Sequence, residues 1–212
     1  MGTEGTSLRE RKSAKLKLLI LSIAKTMLRQ QNFQDIHVTD LCERAGISKV
    51  TFFRYFPQKE DILLYFMRVW AFELSIEMQK HEIKGLKAVK FIFDRYGDLC
   101  ENYHSVILHL IKYHAISPLV LKPISIKKAE KQLLFPKLEG VDQMEVLAFD
   151  KLLEKYMLEA IFQTEITKSS DVTDLVSMLL TTTYGSILVA KMKQTPVKAT
   201  LKKNITAVLE TF

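Results

Sequence analysis

The stretch Gly46-Ile47-Ser48-Lys49-Val50-Thr51-Phe52-Phe53-Arg54-Tyr55-Phe56-Pro57 decides how the rest of this chain is read. Ser48 is placed to cap a short helix, because its side-chain oxygen can accept orphan amide protons at a helix start. Pro57 ends that helix, since a proline disfavours helix in the residue before it. At about 100° per residue, Phe52 and Phe56 lie about 40° apart on the wheel and can enter a core together. Val50, Thr51 and Arg54 then face away, with Phe53 and Tyr55 flanking the inner stripe. Gly46 readily takes the left-handed conformation that ends one helix and lets the next leave steeply. The stretch reads as part of a helix-turn-helix.

Upstream, a short helix is expected from about Val38 to Ala45, with Leu41 and Ala45 spaced i,i+4 to pack on its neighbours and Thr39 pointing outward. His37 is a weak N-cap for it. Asn32 and Phe33 stand where a helix C-cap and its hydrophobic contact are expected, because asparagine tolerates the left-handed conformation. Before them, an Arg- and Lys-rich run over residues 9 to 17 leads into an apolar stripe at Leu16, Ile20, Ile23, Ala24 and Met27. Basic first turns oppose the helix dipole; an ordinary solvated face or an adjacent phosphate backbone would account for them.

Downstream, Glu60 and Asp61 open a helix that carries Ile62, Phe66, Val69, Trp70 and Leu74 and runs to about Lys80. A second amphipathic helix spans about Leu86 to Tyr103, with Val89, Phe93, Tyr96 and Cys100 on one face, and another follows to His114. Pro118, Pro123 and Pro136 break the next part into loops around a short helix at Ile126 to Leu134. After Gly140, residues 141 to about 167 are expected to form one long helix carrying Met144, Ala148, Phe149, Leu152 and Tyr156. Val172 to Lys193 is apolar on more than one face, and Val197, Leu201, Ile205, Val208 and Phe212 make a final stripe. These two helices suit self-association, with Gly185 and Ser186 permitting close helix approach. Few glycines and prolines, long stripes of helical period and no convincing strand predict an all-α protein.

Composition bounds the function. The net charge of +7 is unevenly spread: residues 1 to 60 hold 11 Lys and Arg against 6 Asp and Glu, the remainder 20 against 18. The excess surrounds the helix-turn-helix, as expected where that end meets an anionic polymer. Cys42 and Cys100 are too few for a disulfide framework and read as small core residues in a reducing cytoplasm. No apolar run reaches the roughly 18 residues of a membrane span, and a soluble protein without membrane association is expected. Met1-Gly2-Thr3-Glu4-Gly5-Thr6 matches the loose myristoylation pattern, but a flexible tail accounts for it better. His104, His109 and His114 recur every five residues, so successive side chains rotate by about 140° and cannot share a helix face. Metal-protease, phosphate-loop and nucleophile-elbow motifs are all lacking. The expectation is no enzyme, no catalytic residue, no metal and no cofactor.

Residues 16 to 63 resemble the DNA-binding domain of the tetracycline-repressor-like (TetR) family of transcriptional regulators. The densest likeness lies in Val38 to Ser48 and Lys49 to Leu63, in unbroken register with the family pattern. Lys49, Val50 and Thr51 are the residues a recognition helix presents to base edges: lysine can donate to guanine, valine and the threonine methyl can touch a thymine methyl. The resemblance adds Thr39, Ser48, Phe53, Arg54, Tyr55 and Lys59 as positions that approach DNA, largely its phosphates. Position 53 is usually a tyrosine in the family; Phe53 has no phenolic proton to donate. The resemblance further implies two domains, a helix-turn-helix head at residues 9–62 and a helical regulatory and dimerisation domain at 63–212. The second domain would hold a small-molecule pocket, with Phe66, Trp70, Phe93, Tyr96, Cys100, Tyr113, Phe149 and Tyr156 as candidate lining residues. A symmetric homodimer paired through its last helices would place two heads on a palindromic operator, as a ligand-released repressor. The reading from another class is a helix-turn-helix that binds protein and recognises no DNA sequence.

Overall fold

The computed structural model describes residues 6–116, 124–166 and 171–212. Among them are ten α-helices and no strand: α1 (Leu8–Leu28), α2 (Val38–Ala45), α3 (Lys49–Tyr55), α4 (Asp61–Lys80), α5 (Gly85–Asn102), α6 (His104–Ile116), α7 (Lys128–Leu134), α8 (Phe149–Phe162), α9 (Val172–Lys193) and α10 (Val197–Leu209). Pro118, Pro123 and most of the myristoylation-like start lie outside the described residues. The chain divides into two compact units, one made of residues 1–69 with 116–146, the other of 70–115 with 147–212. The division falls inside α4, between Val69 and Trp70.

In the first unit α1 packs on α2 and α7, and α2 on α3. Ile20, Phe33, Ile36, Leu41, Phe52, Phe56, Ile62 and Leu63 are buried in its core. Helix α1 begins at a reciprocal cap: the Glu10 amide donates to Ser7 Oγ at 3.2 Å and the Ser7 amide to Glu10 Oε2 at 2.8 Å. Asn32 does not end α1. The helix stops at Leu28, its cap Arg29 stays right-handed, and Asn32 is extended at the start of a 3-10 turn, Phe33–Asp35. Burial of Phe33 sets that turn in place of a left-handed cap.

Lys17 corrects the reading of the basic run, for it faces neither solvent nor phosphate. It is buried, and its ammonium lies 3.3 Å from Glu130 Oε2 on α7. The expected helix from 141 to 167 also starts late. A 3-10 turn spans Val141–Gln143, Met144 is extended, and α8 opens only at Phe149. The intervening carbonyls are taken by side chains: Lys131 Nζ donates to Met144 O, and Arg68 Nη1 to Val146 O at 3.3 Å. Those bonds compete with the helical ladder.

In the second unit α5 packs on α8 and α10, and α9 on α8 and α10. Gly97, with no side chain, admits α10: a Cβ there would lie 2.7 Å from Lys198 Cγ and 3.3 Å from its Cα. Lys198 Nζ then reaches Asp98 at 2.6 Å and Asp94 at 3.2 Å. Gly185 does not serve this purpose inside the chain, since a Cβ there meets nothing within 4 Å. Its neighbour Ser186 is buried and accepts a hydrogen bond from Asn204 Nδ2 at 2.9 Å. Helix α9 does reach the length and apolar composition of a membrane span. Its inner face buries Thr183 and Ser186 together with Leu175, Leu179, Ile187 and Ala190.

Candidate nucleic-acid interface

The turn between α2 and α3 is built from three local devices. Gly46 adopts φ +64°, and the Ile47 amide reaches back to Cys42 O at 3.0 Å, closing the end of α2. Ser48 is extended and its Oγ accepts from the Thr51 amide at 3.2 Å, opening α3. Phe56 leaves helical geometry immediately before Pro57. His37 makes no side-chain cap bond, in line with its weakness at that position.

Phe52 and Phe56 anchor α3 from beneath, both completely buried, with ring centroids 5.6 Å apart. Phe56 continues onto Tyr65 of α4 at 5.7 Å. The opposite face is open: Val50 is 82% exposed and Phe53 43%, although both are large and apolar. Ser48, Lys49, Arg54 and, on α2, Thr39 are also exposed, while Thr51, Tyr55 and Lys59 are half-buried. The Arg54 guanidinium lies 5.4 Å from the Tyr55 ring centroid. Lys59 is engaged within its own domain, with Nζ 3.3 Å from Gln34 O and 4.4 Å from the Phe33 ring centroid. Partial burial lowers its pKa, against the pull of Glu60 and Asp35.

The eight candidate pocket residues do not form one group. Phe66 belongs to the first unit, where Lys25 Nζ sits 5.4 Å from its ring centroid. Four others converge in the second unit: Tyr96 stacks on Phe149 at 4.8 Å, Trp70 meets Tyr96 at 5.7 Å and Phe149 at 6.0 Å, and Phe93 meets Phe149 at 6.3 Å. Cys100 and Tyr156 are buried in the same unit, and Tyr113 is half-buried beside His114. Burial raises the Tyr96 hydroxyl well above its ordinary range, with Cys100 and Tyr184 adding to the effect. The Cys100 thiol is pushed up to about 12, by burial first and Glu101 second. These groups are neutral at ordinary pH, so the cluster offers apolar rings with uncharged polar tips. Tyr184 of α9 was not among the expected residues; it lies in a helix whose pattern speaks of core packing.

Residues 20–66 match the family described as bacterial regulatory proteins, tetR family. Over 48 residues the chain is 48% identical to the HTH-type transcriptional regulator EthR of Mycobacterium tuberculosis, covering 23% of this chain and 22% of that relative. The likeness thus spans about a fifth of the curated relative's length. Among solved structures, Thermus thermophilus FadR, a TetR-family transcriptional repressor in complex with lauroyl-CoA, aligns with a TM-score of 0.61 at 17% identity, over 92% of this chain and 93% of that one. Bacillus subtilis FadR in complex with stearoyl-CoA aligns with a TM-score of 0.57 at 16% identity, over 91% and 97%. At such identity the likeness concerns the fold. Residues 20–66 thus carry the helix-turn-helix of the tetR family of bacterial regulatory proteins, and the all-helical fold of the chain is similar to that of Thermus thermophilus FadR.

Proposed function

We propose that this protein is a cytoplasmic, sequence-specific DNA-binding transcriptional regulator, a repressor released from its operator by a small-molecule ligand. The observation that carries the reading is α3 itself. Phe52 is wholly buried beneath it, yet the opposite face leaves Val50 82% exposed beside Lys49, Phe53 and Arg54. On a capped helix that also presents Lys49 and Arg54, the Val50 side chain is placed to meet a thymine methyl in the major groove. Lys49 and Thr51 supply hydrogen bonds to base edges, while Ser48, Arg54, Tyr55, Lys59 and Thr39 orient the domain on phosphates.

A second copy of the chain completes the reading. On α9, Met178, Leu188, Val189 and Met192 are exposed at 47%, 44%, 40% and 83%, on the same stripe as the open Gly185. Pairing α9 and α10 with their symmetry mates buries that stripe in a four-helix bundle. The two recognition helices would then meet half-sites about 34 to 36 Å apart. The aromatic cluster of Trp70, Phe93, Tyr96 and Phe149 is the proposed effector site, with Cys100 beside Tyr96 and with Tyr113 and Tyr156 kept as further candidates from the same unit. Because the FadR structures hold acyl-CoA thioesters, such thioesters are the first effectors to try. An effector that weakens DNA binding a hundredfold must favour the non-DNA conformation by about 2.7 kcal/mol.

The test is selection of bound duplexes from random DNA, followed by binding titrations. A palindromic preferred duplex, a steep salt slope and loss of affinity in Lys49→Ala and Arg54→Ala are expected. Binding without sequence preference, or affinity unchanged in both variants, would overturn the assignment and favour a protein-binding module.

A further inference from the structure

The first unit contains a stretch that comes from elsewhere in the sequence. Residues 116–146 group with the helix-turn-helix, whereas the flanking helices α6, up to Ala115, and α8 belong to the second unit. The described part of this stretch, 124–146, lies on α1 through α7. Ile126, Ala129 and Val141 are its fully buried apolar side chains, and Leu133, Leu134, Phe135, Met144 and Val146 are half-buried. The buried polar part of its hold is centred on Glu130, itself 3% exposed, with Arg68 Nη1 to Val146 O at 3.3 Å as a part-buried tie. Glu130 accepts from Lys17 Nζ at 3.3 Å, from the Tyr65 hydroxyl at 2.8 Å and from the Lys127 amide at 3.3 Å. Lys17 Nζ also donates to Ser125 O at 3.2 Å and sits 3.9 Å from the Tyr65 ring centroid. One carboxylate thus ties α7 to both α1 and α4.

Such a hold is strong in geometry and weak in net free energy, because removing both charges from water offsets most of their attraction. Burial lowers the Lys17 pKa against the pull of Glu130, which reflects that cost. An element whose buried polar contacts converge on one ion pair can open locally while the apolar core beneath it stays folded.

We propose that residues 124–146 form a releasable strap on the helix-turn-helix domain, closed by the Lys17–Glu130–Tyr65 cluster, and that its closure sets the domain's affinity for duplex DNA. The affinity clause rests on the DNA-binding reading above; the closure itself does not. Glu130 and Lys17 are positioning residues: they fix α1 against α4, which delivers Phe56 and hence α3. The strap's covalent neighbours in the second unit make it a path by which an effector there would reach the reading head.

The test is hydrogen exchange on the full chain of wild type, Lys17→Met, and Lys17→Met with Glu130→Gln, together with their affinity for a duplex selected by wild type. Lys17→Met strands the buried carboxylate, and strap amides should exchange at least about tenfold faster while α2, α3 and α9 keep their protection. The double variant removes both charges and should restore strap protection to within about threefold. Duplex affinity should shift by about tenfold in the single variant and return in the double. Unchanged strap exchange, or acceleration of the whole first unit together, would overturn a separable strap. A loosened strap with affinity within about twofold of wild type would overturn the coupling. If wild type selects no duplex, the DNA-binding reading fails and takes the affinity clause with it, while exchange still decides the closure.

Discussion

Helix α3 and the aromatic cluster of the second unit use the same residue types in opposite ways. In α3 the aromatic rings are divided, with Phe52 fully buried and Phe53 43% exposed one residue on. In the second unit Phe93, Tyr96, Cys100 and Tyr156 are all buried, and their hydroxyls and thiol are held neutral by burial. In the proposed function the first arrangement presents a rigid outer face to DNA, so stability and recognition sit on different residues. In the second, packing and the proposed ligand contacts fall on the same residues, so a ligand must open what the core closes.

The sharpest way to break this contrast is to empty the core under α3. Phe52→Ala should cost about 3 to 5 kcal/mol in urea unfolding and abolish any duplex binding, because the anchor of the reading face is gone. A smaller effect is expected from the other unit. Gly97→Val drives a side chain into Lys198 and should cost about 1 to 3 kcal/mol while leaving exchange in α2 and α3 unchanged. Loss of protection in α3 would show that the units are not separable in this way.

The neutral interior predicts an alkaline weakness. The folded Cys100 pKa is raised to about 12 from an ordinary 9.0, so the unfolded state loses its proton first. The stabilisation is fully present below pH 9.0 and is lost as pH rises through about 12. Cys100→Ala should therefore flatten the decline in unfolding free energy, by roughly 1 kcal/mol between pH 8 and 10. An identical slope in the variant would remove Cys100 from the account. The smallest change in stability belongs to the exposed face: Val50→Ala should stay within about 0.5 kcal/mol of wild type yet alter which duplex is selected. A large stability loss there would make Val50 a packing residue and undo the contrast.

The helix-turn-helix was legible because every signal for it is local. Ser48 and Thr51, Phe52 and Phe56, Gly46 and Ile47 are within a few residues of one another, and a single helical turn sets their relation. The same holds for α9 and α10, whose bounds follow their apolar periods. The reciprocal cap of Ser7 and Glu10 was readable by the same rule, as a serine followed three residues later by a glutamate. The start of α8 was not readable, because the carbonyls before it are claimed by Lys131 and Arg68 from other elements. Gly97 gave no signal either; its purpose depends on Lys198 arriving from α10.

Lys17 marks the boundary most clearly. In the sequence it is one cation in a basic run; in the fold it is buried against Glu130, 113 residues away. Local sequence is enough for most of the helices, for the capped turn and for the outer face of α3, since these follow from backbone preference and periodicity within a few residues. Which charges are withdrawn from water, which rings meet, and the grouping of residues 124–146 with the helix-turn-helix emerge only in the folded chain. Burial and ion pairing are properties of neighbours in space, and distance along the chain carries no record of them.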